Sequence, residues 1–248
     1  SAQTLADRAS AIQGRFRTMG GAGTRVTGIP LLVHRRCDRP MFELANRIAY
    51  DGRMVFATSP GPSPIRDVLG PTAWIDVSGP SSDKWVAREG EVVAEAMAKL
   101  GLELDGPPDL YVICPFRNPA RQLRLLLDEK GTVVLPGLSR KERRAWIKRR
   151  VGTIHTFQGK EAEAVILMLG AGIGAPAGAR TWAGRTPNLL NVAATRARRA
   201  LYLVGNRDLW QGAGVFAEAA TAFPVLAPDA WLGPARRCQG AAYQRVNR

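Results

Sequence analysis

The sequence predicts an α/β domain with a mostly parallel sheet covered by helices on both faces. Two observations carry this. Short continuous apolar runs, DLYVIC, AVILML and ALYLVG, alternate with stretches whose apolar residues recur at helical spacing. That alternation marks strands buried on both faces and joined by crossover helices. In addition, TIHTFQGKE (residues 153–161) and NLLNVAATRARRALYLVGN (residues 188–206) gather small, polar and charged groups beside such runs. Each reads as a strand–turn–helix junction, where a parallel sheet binds its ligands.

Taken in order, residues 1–28 are polar, basic and glycine-rich, with GGAG at 20–23. They read as a frayed helix and a flexible lead-in, more like a cut edge than the start of a domain. IPLLVH (29–34) reads as a buried strand. PMFELANRIAYDGRMV places Met41, Leu44, Ala45, Ile48 and Ala49 at helical spacing, with proline in the first turn. Residues 59–71 hold four prolines and read as a loop. TAWIDV (72–77) is a strand, and residues 89–100 an amphipathic helix closed by Gly101. DLYVICPF (109–116) is a strand, followed by a helix capped by Asn118 with Pro119 at its first position. LRLLLDEKG (123–131) continues that helix, because Leu123, Leu126 and Leu127 share one face. Asp128 and Glu129 are therefore a helix end and not a catalytic pair. VGTIHT, AVILML and ALYLVG complete the strands, residues 170–187 form a loop, and residues 233–248 a basic mobile tail. The core domain is expected over residues 29–232.

Composition narrows the function. Of 248 residues 46% are hydrophobic, enough for a core. Lys plus Arg is 35 against 21 Asp plus Glu, a net charge of +14. Such a balance favours polyanion partners. Cys37, Cys114 and Cys238 are scattered, and His34 and His155 are isolated, so neither a zinc site nor a disulfide framework is expected. A reducing cytosol fits, with Cys114 in the core. The sequence shows no signal peptide and no apolar run of spanning length, which argues against a membrane role.

The motifs carry the chemistry. Within residues 153–161, the hydroxyls of Thr153 and Thr156 and the first amides of a helix starting near Gln158 can bind phosphate oxygens. Gly159 permits close approach to the backbone, and Glu161 can accept from a ribose hydroxyl. The plainer alternative is an ordinary cap at Thr156. Arg196, Arg198 and Arg199 follow a helix packed by Leu189, Leu190, Val192 and Ala193. An arginine reaching a phosphate stabilises charge developing in phosphoryl transfer; for Arg198 and Arg199 a solvated helix face is the better reading. RKERRAWIKRR (140–150) has seven basic residues and one acid. It reads either as a phosphate-tracking patch or as a solvated helix with Trp146 packed inward. The chain has no GxxxxGK[ST] phosphate loop; its Gly159-Lys160 pair is followed by Glu161.

These motifs resemble the second RecA-like domain of superfamily 1 helicases, in the branch of the nonsense-mediated-decay RNA helicase and its bacterial relatives. TIHTFQGKEAEAVIL resembles motif V and NVAATRARRALYLVGN motif VI. LLVHRRCDRPMFELANRIAYDGRM resembles motif IV, and VICPFRNPARQL the motif written Thr-Pro-Tyr with a downstream glutamine. They occur in the family's order over residues 29–209.

The resemblance implies roles. Arg36 and Arg196 would reach the γ-phosphate of ATP, and Glu161 and Gly159 would meet the nucleotide. Thr153, His155 and Thr156 would lie on the nucleic-acid backbone, with Pro115 and Phe116 near the bound strand. His34, Arg35 and Cys37 depart from the Gln-Tyr-Arg-Met pattern. Arg35 stands where a tyrosine stacks on adenine, and its guanidinium plane can stack in its place. The phosphate loop and the magnesium-binding acids belong to a first RecA-like domain that precedes this one in the family. The resemblance thus implies one half of an ATP- and magnesium-dependent motor on single-stranded DNA or RNA, inactive as an ATPase by itself. The alternative is a nucleic-acid-binding or protein-interaction module without ATP coupling.

Overall fold

The structure, a computed structural model, describes residues 32–59, 61–157 and 159–233, together with the backbone of residues 9, 13–17 and 24–28. In chain order its strands are β1 (Gln13–Arg17), β2 (Thr24–Gly28), β3 (Val33–His34), β4 (Val55–Phe56), β5 (Ala73–Asp76), β6 (Ser81–Ser82), β7 (Trp85–Val86), β8 (Leu110–Cys114), β9 (Val151–Thr153), β10 (Ala162–Met168), β11 (Ala197–Gly205) and β12 (Val225–Leu226). The α-helices are α1 (Met41–Tyr50), α2 (Pro64–Leu69), α3 (Ala87–Glu103), α4 (Arg117–Val134), α5 (Arg140–Arg150), α6 (Ala177–Gly184), α7 (Asn188–Arg196), α8 (Arg207–Trp210), α9 (Phe216–Ala222) and α10 (Pro228–Leu232).

Six strands form one sheet in the order β12-β5-β11-β10-β8-β9, and every pair in it is parallel. Alternate side chains of each central strand point to opposite faces, as the pleat requires. Ile113, Val165, Leu167, Leu201 and Leu203 enter one apolar cluster with Met41, Leu44, Leu190 and Phe216 of α1, α7 and α9. Val112, Cys114, Ile166, Met168, Tyr202 and Val204 enter the other with Val92, Met97, Leu123 and Trp146 of α3, α4 and α5. Both faces are buried, which is why the strands read as unbroken apolar runs and not as alternating ones. This six-stranded parallel sheet between helical layers is the α/β architecture that the sequence predicted.

Several local readings are corrected. Residues 13–17 and 24–28 pair as an antiparallel ladder, not a helix. In IPLLVH, of which residues 29–31 lie outside the described residues, Val33–His34 form a strand that pairs with Val55–Phe56 outside the main sheet, with Val33 exposed. The prolines of residues 59–71 do not exclude a helix: Ser63 accepts from the Arg66 N–H and Pro64 opens α2, the favoured position for proline. Helix α3 runs through Gly101 to Glu103. Helix α4 begins at Arg117, with Asn118 inside its first turn. Residues 170–187 contain helix α6. The tail beyond Gly233 and Cys238 lie outside the described residues.

Candidate functional site

The loop between β3 and α1 presents Arg35 and Arg36. The Cys37 N–H donates to His34 Nε2 (3.1 Å), and the Cys37 thiol sits 3.0 Å from the same nitrogen. The Asp38 N–H donates to the Arg198 carbonyl (2.9 Å), and Arg199 donates to both Asp38 carboxylate oxygens (3.0 Å each). These bonds staple the loop to the start of β11 and leave Arg35 and Arg36 exposed. Arg36 reaches Glu161, Nε to Oε1 3.3 Å.

Arg196 ends α7 and is buried, with Nε and Nη1 lacking a hydrogen-bond partner among the described residues. Burial holds its pKa below the ordinary arginine value. The Arg36 charge adds to that depression, while Glu161 and Tyr50 oppose it. Arg36, Glu161 and Arg196 thus form one electrostatic cluster. A buried guanidinium with orphaned N–H groups is costly unless an anion accepts from it. An oxyanion with several acceptor oxygens fits that donor set, since guanidinium pairs with phosphate in a planar fork. Gly159 lies on the adjoining exposed turn at φ +80°, and a Cβ built there meets nothing within 4 Å.

Residues 153–161 do not form a strand–turn–helix junction. Strand β9 ends at Thr153 and a single 3-10 turn follows over Ile154–Phe157. With Gly159 in the left-handed region and β10 starting at Ala162, no span remains for an α-helix. The amide-rich helix start expected near Gln158, itself outside the described residues, is therefore replaced by a turn. The cause is the aromatic ring of Phe157, which is fully buried against Tyr111 at 4.4 Å and pins the segment down.

A cavity of about 470 Å³ opens beside this turn. Pro115, Phe116, Thr153 and His155 line it, brought together from the ends of β8 and β9. Thr156 does not; its hydroxyl folds back over Gly152, where an added Cβ would lie only 2.7 Å from it. Asp83, Lys84, Arg117, Asn118 and Trp182 complete the lining. Asp83 and Lys84 form the turn between β6 and β7, both at positive φ (43° and 67°). Asn118 is not a helix cap but donates to the Asp83 carbonyl (3.1 Å), fixing that turn over the cavity. Neither Asp-Lys nor the Gly/Ala-rich setting of Trp182 carries a turn or binding signature, so the sequence pointed to neither.

The other basic residues divide. Arg198 and Arg199 stand on β11, not on a helix, and both are paired: Arg198 and Arg150 each lie 2.8 Å from Asp109, and Arg199 holds Asp38. In α5 the Ser139–Glu142 capping box opens the helix, and Trp146 and Ile147 face inward. Arg144 pairs with Asp128 at 2.8 Å, and Asp128 lies within α4, six residues short of its last residue, Val134. Lys148 and Arg149 are exposed and have no acid partner among the described residues. Among the described residues no group of three or more His, Cys, Asp or Glu can hold a metal ion. No described helix is long and apolar enough to cross a membrane.

A family profile, that of the AAA domain, matches residues 27–208, which contain all four motifs. No curated protein matches. Among solved structures, the C-terminal domain of a possible DNA helicase from Lactobacillus plantarum WCFS1 aligns at 14% identity. The alignment covers 77% of this chain and 98% of that one, with a TM-score of 0.42.

Proposed function

We propose, from the premise that the chain belongs to the AAA domain family, that it is the C-terminal motor domain of an ATP-dependent helicase or translocase. Within that class we place it in the branch of the nonsense-mediated-decay RNA helicase and its bacterial relatives. The observation that carries the proposal is the buried Arg196 guanidinium, orphaned at Nε and Nη1, beside the Arg36–Glu161 pair.

In this reading Arg36 and Arg196 project toward the γ-phosphate of an ATP held mainly by a preceding domain. Charge develops on the equatorial oxygens during transfer, and donors already in place lower the barrier without reorganising. Burial of Arg196 supplies that preorganisation. Glu161 holds Arg36 by its Nε and leaves the rest of the fork for the phosphate. Arg35 offers a flat guanidinium to the base, and Gly159 gives room beside it. The residues that would hold magnesium, which would supply charge neutralisation at the phosphates, we assign to the preceding domain. Pro115, Phe116, Thr153 and His155 form the wall met by a single strand of DNA or RNA, with Thr156 behind it.

The alternative, a nucleic-acid-binding module without ATP coupling, draws on His34. Where the family places a glutamine, His34 is buried, packs on Phe42 (5.2 Å between rings) and is bonded to Cys37. Its ring is therefore already engaged within the loop, with Nε2 accepting from the Cys37 N–H. Labelled ATP titrated into the chain joined to a first domain separates the two readings: the motor binds it and the module does not. For the chain alone the motor reading predicts no magnesium-dependent ATP hydrolysis, with or without single-stranded nucleic acid. Sustained turnover by the pure chain contradicts it.

A further inference from the structure

We infer that Trp182 is a nucleobase-stacking platform at the mouth of the cavity beside β8 and β9, and that Lys84 and Arg117 flank it as phosphate contacts. The inference rests on the nucleic-acid reading above and adds to it the residue that recognises bases as distinct from backbone.

Trp182 is 58% exposed, although an indole of that size is normally well covered. Its inner side packs on Phe116, with ring centroids 5.9 Å apart and planes tilted by 35°. That spacing leaves no room for a base between the rings. Phe116 instead backs the indole, so the outer face of Trp182 is the one offered to a ligand. The Lys84 Nζ lies 5.8 Å from the Phe116 ring centroid and 3.1 Å from Asp83 Oδ1, an exposed pair that a phosphate can displace. Exposed Arg117 follows at the start of α4.

The platform is held rigidly. Helix α6, which carries Trp182, is tied at one end by Arg180 donating to the Ala171 carbonyl (2.7 Å). At the other end the Val215 N–H donates to the Gly184 carbonyl (3.0 Å), and Gly184 sits so close to Ala213 that a Cβ there would lie 1.9 Å from its carbonyl oxygen. The β6–β7 turn is docked to the same strip of chain, with the Ala171 N–H donating to the Lys84 carbonyl (2.9 Å). An aromatic face fixed in position, with cations beside it, matches the way single strands are held: bases stack and the backbone is tracked by charge. A folded-protein partner would need a wider apolar surface than one indole.

The test uses the 248-residue chain and two fluorescent probes of equal length, an oligothymidylate and an abasic oligonucleotide with the same phosphates. Anisotropy titration is expected to show the oligothymidylate bound about tenfold or more tightly than the abasic probe. Trp182→Ala is expected to abolish the preference, and Trp182→Phe to retain it. Loss of binding to the base-bearing probe alone, with circular dichroism unchanged, excludes a merely structural role. If Trp182→Ala keeps the wild-type preference, or the wild type has none, the platform is overturned while the nucleic-acid reading stands. If the wild type binds neither probe, both fall.

Discussion

Arg36 Nε lies 3.3 Å from Glu161 Oε1, which joins the loop after β3 to the turn before β10. Both side chains are more than one-third exposed, so the pair contributes little to folding stability. In the proposed motor the pair would act by positioning Arg36. Glu161→Gln is expected to change the urea unfolding midpoint only slightly. In a protein with both motor domains it is expected to reduce ATP turnover by up to about a hundredfold, the scale of a misplaced positioning group. Steady-state kinetics beside urea melts checks this; lost stability with normal turnover contradicts it.

Glu89, in the first turn of α3, is fully buried, and its Oε2 accepts from the Gly170 N–H at 2.7 Å. Burial pushes the carboxyl up from 4.5 to about 8, with the Gly170 N–H pulling the other way. The folded state therefore keeps it protonated where the unfolded chain ionises it. Its stabilising contribution is complete below about pH 4.5 and is lost as pH rises to about 8. Glu89→Gln removes this dependence. Thermal melts are expected to show the variant gaining on the wild type across that window, with the two closest at the acid end. A gap that does not vary with pH contradicts the assignment.

Helix α5 leads through β9 into the cavity wall, and Lys148 and Arg149 lie exposed on it. Removing a cation that neutralises one phosphate lowers the slope of log affinity against log salt by about one. Lys148→Ala combined with Arg149→Ala is expected to reduce the slope for a single-stranded oligonucleotide by roughly two. Salt titration of the binding constant measures it. An unchanged slope removes α5 from the nucleic-acid path.

The parallel sheet was legible because burial on both faces writes itself as unbroken apolar runs, such as Leu110–Cys114 and Ala162–Met168. Most departures arose where tertiary contacts override local signals. Phe157 was indistinguishable in sequence from the first turn of a helix, and only its burial against Tyr111 fixes the 3-10 turn. Asn118 and Pro119 together read as a cap and first turn, yet Asn118 serves the β6–β7 turn. The sequence already favoured a solvated face for Arg198 and Arg199, and the γ-phosphate role of Arg196 came from resemblance. The structure adds the physical difference: those two have acid partners, whereas Arg196 is buried with two nitrogens unbonded. Trp182 and Lys84 carried no sequence signal because their shared site is made by two segments meeting at Ala171.

In the proposed motor, Arg196 acts across a cleft on a phosphate held by another domain. The most direct test is the turnover number for magnesium-dependent ATP hydrolysis by a protein containing both motor domains, with Arg196→Ala against wild type. The expected result is a fall of about a thousandfold or more, as for arginine fingers, with Arg196→Lys failing to restore the rate because an ammonium cannot reproduce the planar fork. Near-normal turnover by Arg196→Ala would remove Arg196 from this role.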